Sequence, residues 1–335
     1  MKKYTIIALF FLVFVGKLKA QDPVFSQYYA NPLYLNPAMA GSNVGPRVSL
    51  NYRNQWPSIP GSFVTYTASY DQYFSKIGGG LGLQVMSDVA GESVFRNNNV
   101  ALMYSNNLNL SREWSLKTGF QVNYVQKSLN WNNFIFGDQI DPRLGVIRAT
   151  QEILPSNNAT NINYFDFSTG MLAYNKSFYG GFAIHHLTQP NESLLVGGNN
   201  DALLYNKLTL HAGANIELTP SSWKYEGMYL SPNVIYQRQQ AFGNLFETLN
   251  LGLYIVKGPL IGGLWYRLSG KTSDAVSALV GIQKGVFRFG YSYDVTVSGL
   301  RNASTGSHEI SVTLSFDEQI RRARNRVEKI KCPGI

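Results

Sequence analysis

Two adjacent histidines are the side chains in this sequence best suited to bind a metal ion. His185 and His186 come shortly before Glu192, and imidazole and carboxylate groups are common zinc ligands. If the histidines belong to a strand, however, they point to opposite faces, and the sequence offers no suitably spaced third ligand. We therefore predict no metal site and no cofactor.

Two further groups of residues have the types needed for acid–base chemistry. Asp138 and Asp141 lie close together but lack the dense oxygen ligands of a calcium loop, so a turn is the simpler interpretation. His308 and Glu309 lie on one strand-like stretch and Asp294 on another, without a G-x-S-x-G sequence or any other nucleophile context. We interpret these last three as polar residues at the rim of the fold and predict that the protein is not an enzyme.

The element that must position Glu309 is the most regular stretch near the end of the chain. From His308 to Phe316, apolar residues alternate with polar ones and the stretch ends on an aromatic residue, as the last strand of a bacterial outer-membrane barrel usually does. A longer stretch, from Asn206 to Leu218, alternates in the same way. Together, such stretches predict an all-β fold, a transmembrane antiparallel β-barrel of about 14 strands (roughly 12–16) over residues 47–316.

The predicted connections support a barrel over a soluble β-sandwich. Every second connection is longer, and the tight turns between them include Lys257–Gly258. The longer connections are mainly Ser128–Ile162 and His186–Tyr205, together with Asp88–Asn98, Gln239–Phe246 and Ser269–Ala275. Bacterial outer-membrane barrels have long outer loops and short periplasmic turns. The pattern therefore predicts a location in the cell outer membrane, with the N- and C-termini both in the periplasm.

The two ends of the chain differ from the barrel pattern. Residues 1–20 carry lysines before and after a short apolar run and end on Ala20, which predicts a cleaved signal peptide, a retained anchor being the alternative. Residues 21–46 combine prolines with many aromatic residues, which predicts an irregular segment that either plugs the barrel or docks on a partner. Residues 317–335 predict either a solvated tail or a short basic helix in the periplasm that binds an acidic or anionic partner, through Arg321, Arg322, Arg324 and Arg326 among others.

Composition argues against several other classes of protein. No stretch after residue 20 approaches about 18 consecutive apolar residues, so we predict no transmembrane helix. The formal net charge is +9, but four lysines in residues 1–20 and a net +3 after Phe316 leave only about +2 for the rest, which is weak evidence for a nucleic-acid partner. The single cysteine, Cys332, excludes an intrachain disulfide and a thiolate zinc cluster.

Four motifs resemble the PorP/SprF family of the type IX secretion system in Bacteroidetes. They are DPVFSQYYANPLYLNPAMAGS, FGDQIDP, HHLTQP, and GYSYD followed by GSHEISV. The resemblance covers nearly the whole chain after residue 20. It implies an outer-membrane component of the secretion and gliding machinery, and it carries no catalytic residues. The positions that match the family motif are Asp22, Pro23, Phe25, Ser26, Gln27, Asn36, Pro37, Ala38 and Gly41, with His308 and Glu309 at the closing strand.

These observations lead to one predicted function and one alternative. The predicted function is that of an outer-membrane component of the type IX secretion and gliding machinery, needed for export or surface anchoring of a secreted adhesin-like protein. Its expected partners are type IX secretion components in the periplasm and outer membrane, the secreted adhesin or its C-terminal domain, and outer-membrane lipid, with no nucleic acid. For partner binding we single out the nine matching positions from Asp22 to Gly41 and the four tail arginines. The alternative is a general porin or small-solute channel, which needs an open lumen.

Overall fold

Fourteen antiparallel strands close into a barrel in the computed structural model, which describes residues 22–43, 45–59, 61–141, 143–151, 161–193, 202–220, 227–241, 244–270, 272–297 and 306–316. The strands are β1 (Arg47–Gln55), β2 (Phe63–Phe74), β3 (Gly79–Ala90), β4 (Phe95–Asn109), β5 (Ser115–Leu129), β6 (Asn161–Tyr174), β7 (Phe178–His185), β8 (Lys207–Ala214 continued by Ile216–Thr219), β9 (Met228–Ala241), β10 (Asn244–Lys257), β11 (Leu260–Ser269), β12 (Thr272–Lys284), β13 (Phe287–Thr296) and β14 (Ser307–Ser315). β1 pairs with β14, and both parts of β8 pair with β9, so the sheet closes on itself. The predicted antiparallel barrel is confirmed.

The alternation of residues separates the inside of the barrel from its outer surface. In β1, Ser49, Asn51 and Arg53 are buried, whereas Leu50 is 48% exposed. Leu102 of β4 is likewise 62% exposed. Since side chains alternate along a strand, the polar set lines the lumen and the apolar set faces outward, which is the arrangement of a barrel surrounded by lipid.

The connections define two ends of the barrel. One end, which we call the long-connection end, carries the connections 56–62, 91–94, 130–160, 186–206, 242–243, 270–271 and 297–306, and we call the opposite end the short-turn end. The lengths predicted for Asp88–Asn98, Gln239–Phe246 and Ser269–Ala275 are wrong, because strand pairing continues almost to the turn on both sides. The connections 130–160 and 186–206 are long, as predicted.

Residues 22–46, which we call the lumenal segment, pass through the inside of the barrel. The middle of the segment forms a 3₁₀ turn at Tyr28–Ala30, the helix α1 at Pro32–Leu35 and a second 3₁₀ turn at Pro37–Met39. A proline opens each of the last two elements, where its missing N–H costs no intrahelical hydrogen bond. These turns are too short to show a helical period, which is why the sequence predicts only an irregular segment.

Aromatic rings of the lumenal segment form one apolar core with the barrel wall. The Tyr28 ring lies 5.1 Å from that of Trp265 on β11. The Tyr29 ring lies 5.8 Å from Tyr179 on β7 and 6.4 Å from Tyr254 on β10. All five residues are buried, and aromatic side chains contribute much of the apolar area of a core. The barrel interior is therefore packed around the segment.

The lumenal segment runs from the long-connection end to the short-turn end. Asp22 contacts His186, which follows β7, and Lys207, the first residue of β8. At the short-turn end, the backbone N–H of Phe316 donates to the carbonyl of Pro46. Asp22 and Phe316 therefore lie at opposite ends of the barrel, because the segment crosses the lumen before the chain enters β1, and the membrane side that each terminus faces stays a prediction.

Two predicted elements lie outside the described residues. They are the signal peptide at 1–20 and the basic helix at 317–335, and both stay predictions. Within the described ranges, no helix combines enough length with enough apolar character to cross a membrane.

Candidate functional site

A buried group of charged side chains holds the lumenal segment near the long-connection end. Arg53 lies between two carboxylates, 2.8 Å from Asp294 and 3.1 Å from Glu309. The backbone N–H groups of Ser26 and Gln27 donate to the two carboxylate oxygens of Glu309, at 2.7 and 3.1 Å. The Ser26 hydroxyl donates to Asp294 at 2.5 Å and accepts from Arg53 at 3.0 Å. The segment therefore supplies part of the hydrogen bonding that these buried charges need.

This arrangement overturns the interpretation of Asp294 and Glu309 as rim residues. Both carboxylates are buried, Glu309 completely, because they belong to the inward faces of β13 and β14 and the lumenal segment covers them. A second cation lies beside them, since Arg267 donates to Ser26 Oγ at 3.0 Å and lies 3.8 Å from Asp294. His308 is half-buried and takes no part in this cluster.

Asn36 anchors the middle of the lumenal segment to two strands. Its amide nitrogen donates to the carbonyl oxygens of Met171 on β6 and Phe182 on β7, both at 3.1 Å, and lies 3.0 Å from Nε2 of His211 on β8. Its amide oxygen accepts from the backbone N–H of Ala38 at 2.9 Å. One side chain thus starts the second 3₁₀ turn and fixes that turn to the wall.

Glycines within three strands let the segment lie directly against the wall. A Cβ atom added to Gly119 of β5 would lie 2.2 Å from the backbone nitrogen of Ala38. At Gly80 of β3 it would lie 2.2 Å from a backbone carbonyl oxygen of the segment, and at Gly170 of β6 2.1 Å from the side-chain oxygen of Asn36. Because glycine in a strand permits this close approach of another backbone, larger residues at these positions would displace the segment.

At the short-turn end, the backbone turns out of the lumen toward β1 at Gly41. Its φ of +59° lies in the left-handed region, which favours glycine. The Gly41 N–H donates to Asp71 at 2.8 Å, and Asp71 accepts two bonds from Arg47 at 2.7 and 3.0 Å. Lys117 donates to the carbonyl of Ala40 at 2.8 Å. These charged bonds fix the turn from both sides.

At the long-connection end, His186 joins the first described residue of the segment to the wall. Its Nε2 lies 2.9 Å from the Asp22 carboxylate and its Nδ1 lies 2.8 Å from that of Asp166, while Lys207 Nζ lies 3.2 Å from Asp22. The φ of His186 is +59°, which takes its side chain out of the strand alternation. The prediction that His185 and His186 point to opposite faces is therefore wrong, and their ring centroids lie 6.4 Å apart.

The charges around His186 favour an imidazolium paired with two carboxylates. Burial lowers the pKa of His186, but the charge of Asp22 and the hydrogen bonds with Asp166 and Asp22 outweigh burial and raise this pKa to about 9. Burial also raises the pKa of Asp22, but His186 and Lys207 outweigh it and lower this pKa well below its usual value. In the imidazolium both ring nitrogens are donors and neither can bind a metal. Within the described ranges, no group of three or more His, Cys, Asp or Glu side chains is placed to hold a metal ion.

The acidic pair in the connection 130–160 forms turns, as the sequence indicates. Asp141 accepts from the backbone N–H groups of Arg143 and the next residue, at 2.8 and 3.0 Å. Asp138 accepts from the backbone N–H of Gln151 at 2.6 Å. Both carboxylates therefore organise the loop locally.

All nine positions singled out in residues 22–41 lie in the lumenal segment and contact the barrel or other residues of the segment. The contacts of Asp22, Ser26, Gln27, Asn36, Ala38 and Gly41 are given above. Phe25 packs 5.0 Å from the ring of Tyr34, whose hydroxyl donates to the carbonyl of Pro23 at 2.6 Å, and Pro37 opens the second 3₁₀ turn. Their role in binding a partner stays a prediction, and Arg321, Arg322, Arg324 and Arg326 lie outside the described residues.

The residues of the wall that bind the segment are the part that sequence reasoning missed. Arg53, Asp71 and Arg267 are charged residues on inward faces, and Gly80 and Gly119 are glycines inside strands. Two signals could have found them. A charge on the buried face of a strand needs a partner, and a glycine inside a strand often marks the close approach of another backbone.

The segment reaches the wall on many sides of the lumen. Ser26 and Gln27 contact β1, β13 and β14, and Tyr28 and Tyr29 contact β7, β10 and β11. Asn36 adds β6 and β8, and the turn at Gly41 adds β2 and β3. A cavity of about 50 Å³ that opens to solvent remains beside Asp22. The lumen is therefore filled across its middle.

A family model described as type IX secretion system membrane protein PorP/SprF matches residues 17–314 of this chain. The chain belongs to this family. The match includes the whole lumenal segment and the strands of the barrel up to the last residue but one of β14, and the resemblance seen in the sequence motifs is confirmed. A barrel of this family lies in the outer membrane. The comparison with curated proteins finds no match.

Several solved structures share the barrel architecture with this PorP/SprF protein. The CymD monoaromatic hydrocarbon channel is 13% identical, with a TM-score of 0.45 over 86% of this chain and 93% of that chain. BamA from Haemophilus ducreyi lacking POTRA domains 1–3 is 11% identical, with a TM-score of 0.39 over 81% and 70%. The KdgM porin in complex with disordered oligogalacturonate is 9% identical, with a TM-score of 0.35 over 80% and 99%. At these scores, the similarity carries no argument about ligands or activity.

Proposed function

We propose that this PorP/SprF-family protein is a closed, non-enzymatic scaffold in the outer membrane, needed for export or surface anchoring of a secreted adhesin-like protein. Family membership supports a place in the type IX secretion machinery. The adhesin as cargo and the link to gliding are the further steps of the proposal.

The filled lumen is the observation that carries the proposal. A general porin needs an open passage, whereas ion pairs, aromatic rings and strand glycines hold residues 22–46 inside this barrel. Moving the segment would deprive Glu309 of two N–H donors and Asp294 of one O–H donor. Leaving buried acceptors without partners costs about 1–3 kcal/mol each. The porin alternative is therefore less well supported than a scaffold for protein partners.

We assign the binding of the secreted protein's terminal domain to the connections 128–162 and 186–205. In the described part of the first connection, large apolar side chains are exposed: Ile135 by 62%, Leu144 by 76% and Val146 by 55%. Several large apolar side chains exposed beyond the strands favour a protein partner. In this proposal, the long-connection end faces the outside of the cell.

The short-turn end and the C-terminal tail then face the periplasm. We propose that residues 317–335 contact periplasmic secretion components through Arg321, Arg322, Arg324 and Arg326, whose charge suits an acidic partner. Deleting residues 318–335 should weaken co-purification with these components. Unchanged complex formation and unchanged secretion would remove the tail from the proposal.

Conductance in planar bilayers tests the closed lumen. The intact protein should be electrically silent, and a variant lacking residues 21–46 should conduct, because the described part of this segment fills the middle of the lumen. Large, stable conductance from the intact protein would favour the porin alternative.

Export in the native host tests the scaffold. Deleting the gene should remove an adhesin-like cargo from the cell surface, and the wild-type gene should restore it. Leu144→Asp should impair surface display, whereas Ile77→Asp, a matched change of an exposed residue at the short-turn end, should not. Normal display in the deletion strain would contradict the proposed function, and normal display with Leu144→Asp would contradict the assigned surface.

A further inference from the structure

The contacts of the lumenal segment show in which direction it runs through the barrel. Asp22 meets Lys207, the first residue of β8, and Ser26 meets Arg53, close to the last residue of β1. Both strand ends belong to the long-connection end. Gly41 meets Asp71 near the other end of β2. The segment therefore runs antiparallel to β1, and its amino-terminal end lies at the opposite mouth from the turn that leads into β1.

We infer that the amino-terminal end of the lumenal segment opens to the cell surface. The contacts above show that the amino-terminal end of the segment lies at the long-connection end. That this end of the barrel faces the outside of the cell rests on the proposed function. The side chain of Asp22 is 19% exposed, and Val24 is half-buried. The cavity that opens to solvent lies beside Asp22. A reagent or partner outside the cell can therefore reach this end without passing through the barrel.

This placement sets an order of events in assembly. Residue 22 lies at the far mouth from the start of β1, so the chain before it has to be free to cross the lumen. A leader still held in the inner membrane would keep the segment on the periplasmic side. If residues 1–20 are the cleaved signal peptide that the sequence predicts, their removal precedes docking of the segment.

Cysteine labelling in intact cells tests the inference. In a Cys332→Ser background, Val24→Cys is compared with Ser58→Cys at the long-connection end and Lys76→Cys at the short-turn end, where both native residues are exposed. A membrane-impermeant maleimide should label Val24→Cys and Ser58→Cys on intact cells. Lys76→Cys should react only after the outer membrane is permeabilised.

The controls separate the two parts of the inference. If Val24→Cys reacts only together with Lys76→Cys, the direction of the segment is wrong. If Lys76→Cys reacts on intact cells and Ser58→Cys does not, the barrel faces the other way and the surface assignment is overturned, while the export test above still judges the scaffold.

A second variant tests the same inference in case the thiol of Val24→Cys is too shielded to react. An epitope inserted between Gln21 and Asp22 should bind antibody on intact cells, with the heat-dependent gel shift of a folded barrel as the control for assembly. Antibody binding only after permeabilisation, in a protein that keeps this shift, would overturn the inference.

Discussion

Gly119→Ala should weaken the docking of the lumenal segment while leaving the barrel intact. Gly119 lies on the inward face of β5, and an added Cβ would lie 2.2 Å from the nitrogen of Ala38 and 2.4 Å from the carbonyl carbon of Pro37. Both atoms belong to the backbone, so no side-chain rotation relieves the contact. The segment itself has to move.

The size of the effect follows from this distance. Restoring an ordinary contact of 3.4 Å requires a shift of about 1.2 Å. A shift of that size away from the wall would stretch the 3.1 Å bonds from Asn36 to Met171 and Phe182 beyond hydrogen-bonding range. Overpacking costs about 1–3 kcal/mol and each lost hydrogen bond about 1 kcal/mol. We expect docking to weaken by about 3 kcal/mol, or roughly 100-fold.

Hydrogen–deuterium exchange in detergent measures this loss. Peptides from residues 22–43 should exchange roughly 100-fold faster in Gly119→Ala than in the wild type, while peptides from the strands keep their protection, because only a local unit opens. The same variant should show intermittent conductance in a bilayer, since the segment leaves the lumen part of the time.

Gly262→Ala is the matched control. Gly262 also lies inside a strand, β11, but a Cβ added there meets no atom within 4 Å. This change should leave docking unchanged or stabilise the protein by about 0.4–1 kcal/mol, because alanine restricts the unfolded chain. Equal exchange of residues 22–43 in the two variants would refute the argument that contact with the barrel wall holds the segment.

Two electrostatic predictions follow from the buried charges. Glu309→Gln should destabilise the protein by about 3 kcal/mol, because it removes a buried charge from Arg53. The temperature at which the folded barrel loses its gel shift should fall, whereas Glu113→Gln in an exposed turn should not change it; equal temperatures would contradict a role for the cluster. The raised pKa of His186 predicts that its stabilisation of the docked segment is complete below pH 6.5 and is lost as the pH rises through about 9. Hydrogen–deuterium exchange of residues 22–27 should therefore accelerate over that pH range. His186→Gln should abolish the pH dependence, whereas His308→Gln should not. If the pH dependence survives in His186→Gln, another group causes it.

The sequence predicts the parts of the strands that face lipid on one side well. It predicts the strand ends that face water on both sides poorly. Alternation is clear in β8, where Leu208, Leu210 and Ala212 follow Lys207, Thr209 and His211 in turn, and the barrel and its inward residues follow from such stretches. The beginning of β4 carries Asn97, Asn98 and Asn99 in a row, so the alternation disappears there although the strand begins at Phe95. Loop lengths were therefore overestimated at the long-connection end.

The candidate site was only partly predictable. Its half in the lumenal segment carries a recognisable motif, and nine positions were named from it. The half on the wall carries weaker signals, because a charge on an inward face or a glycine in a strand indicates that some group lies close by but does not show whether that group is a plug or water. The strand alternation also misplaced His186, which follows β7 with a positive φ and contacts Asp22 and Asp166.

The sequence by itself determined strands with one apolar and one polar face, because the two-residue period is a local property of each strand. It also marked residues 21–46 as a segment that needs burial. Only the tertiary structure decided which interior groups meet. Ser26 and Arg53 both reach Glu309, across sequence separations of 283 and 256 residues, because β14 closes on β1 and the segment lies against both. The direction of the segment was decided in the same way, by which strand ends offer partners to Asp22 and to Gly41.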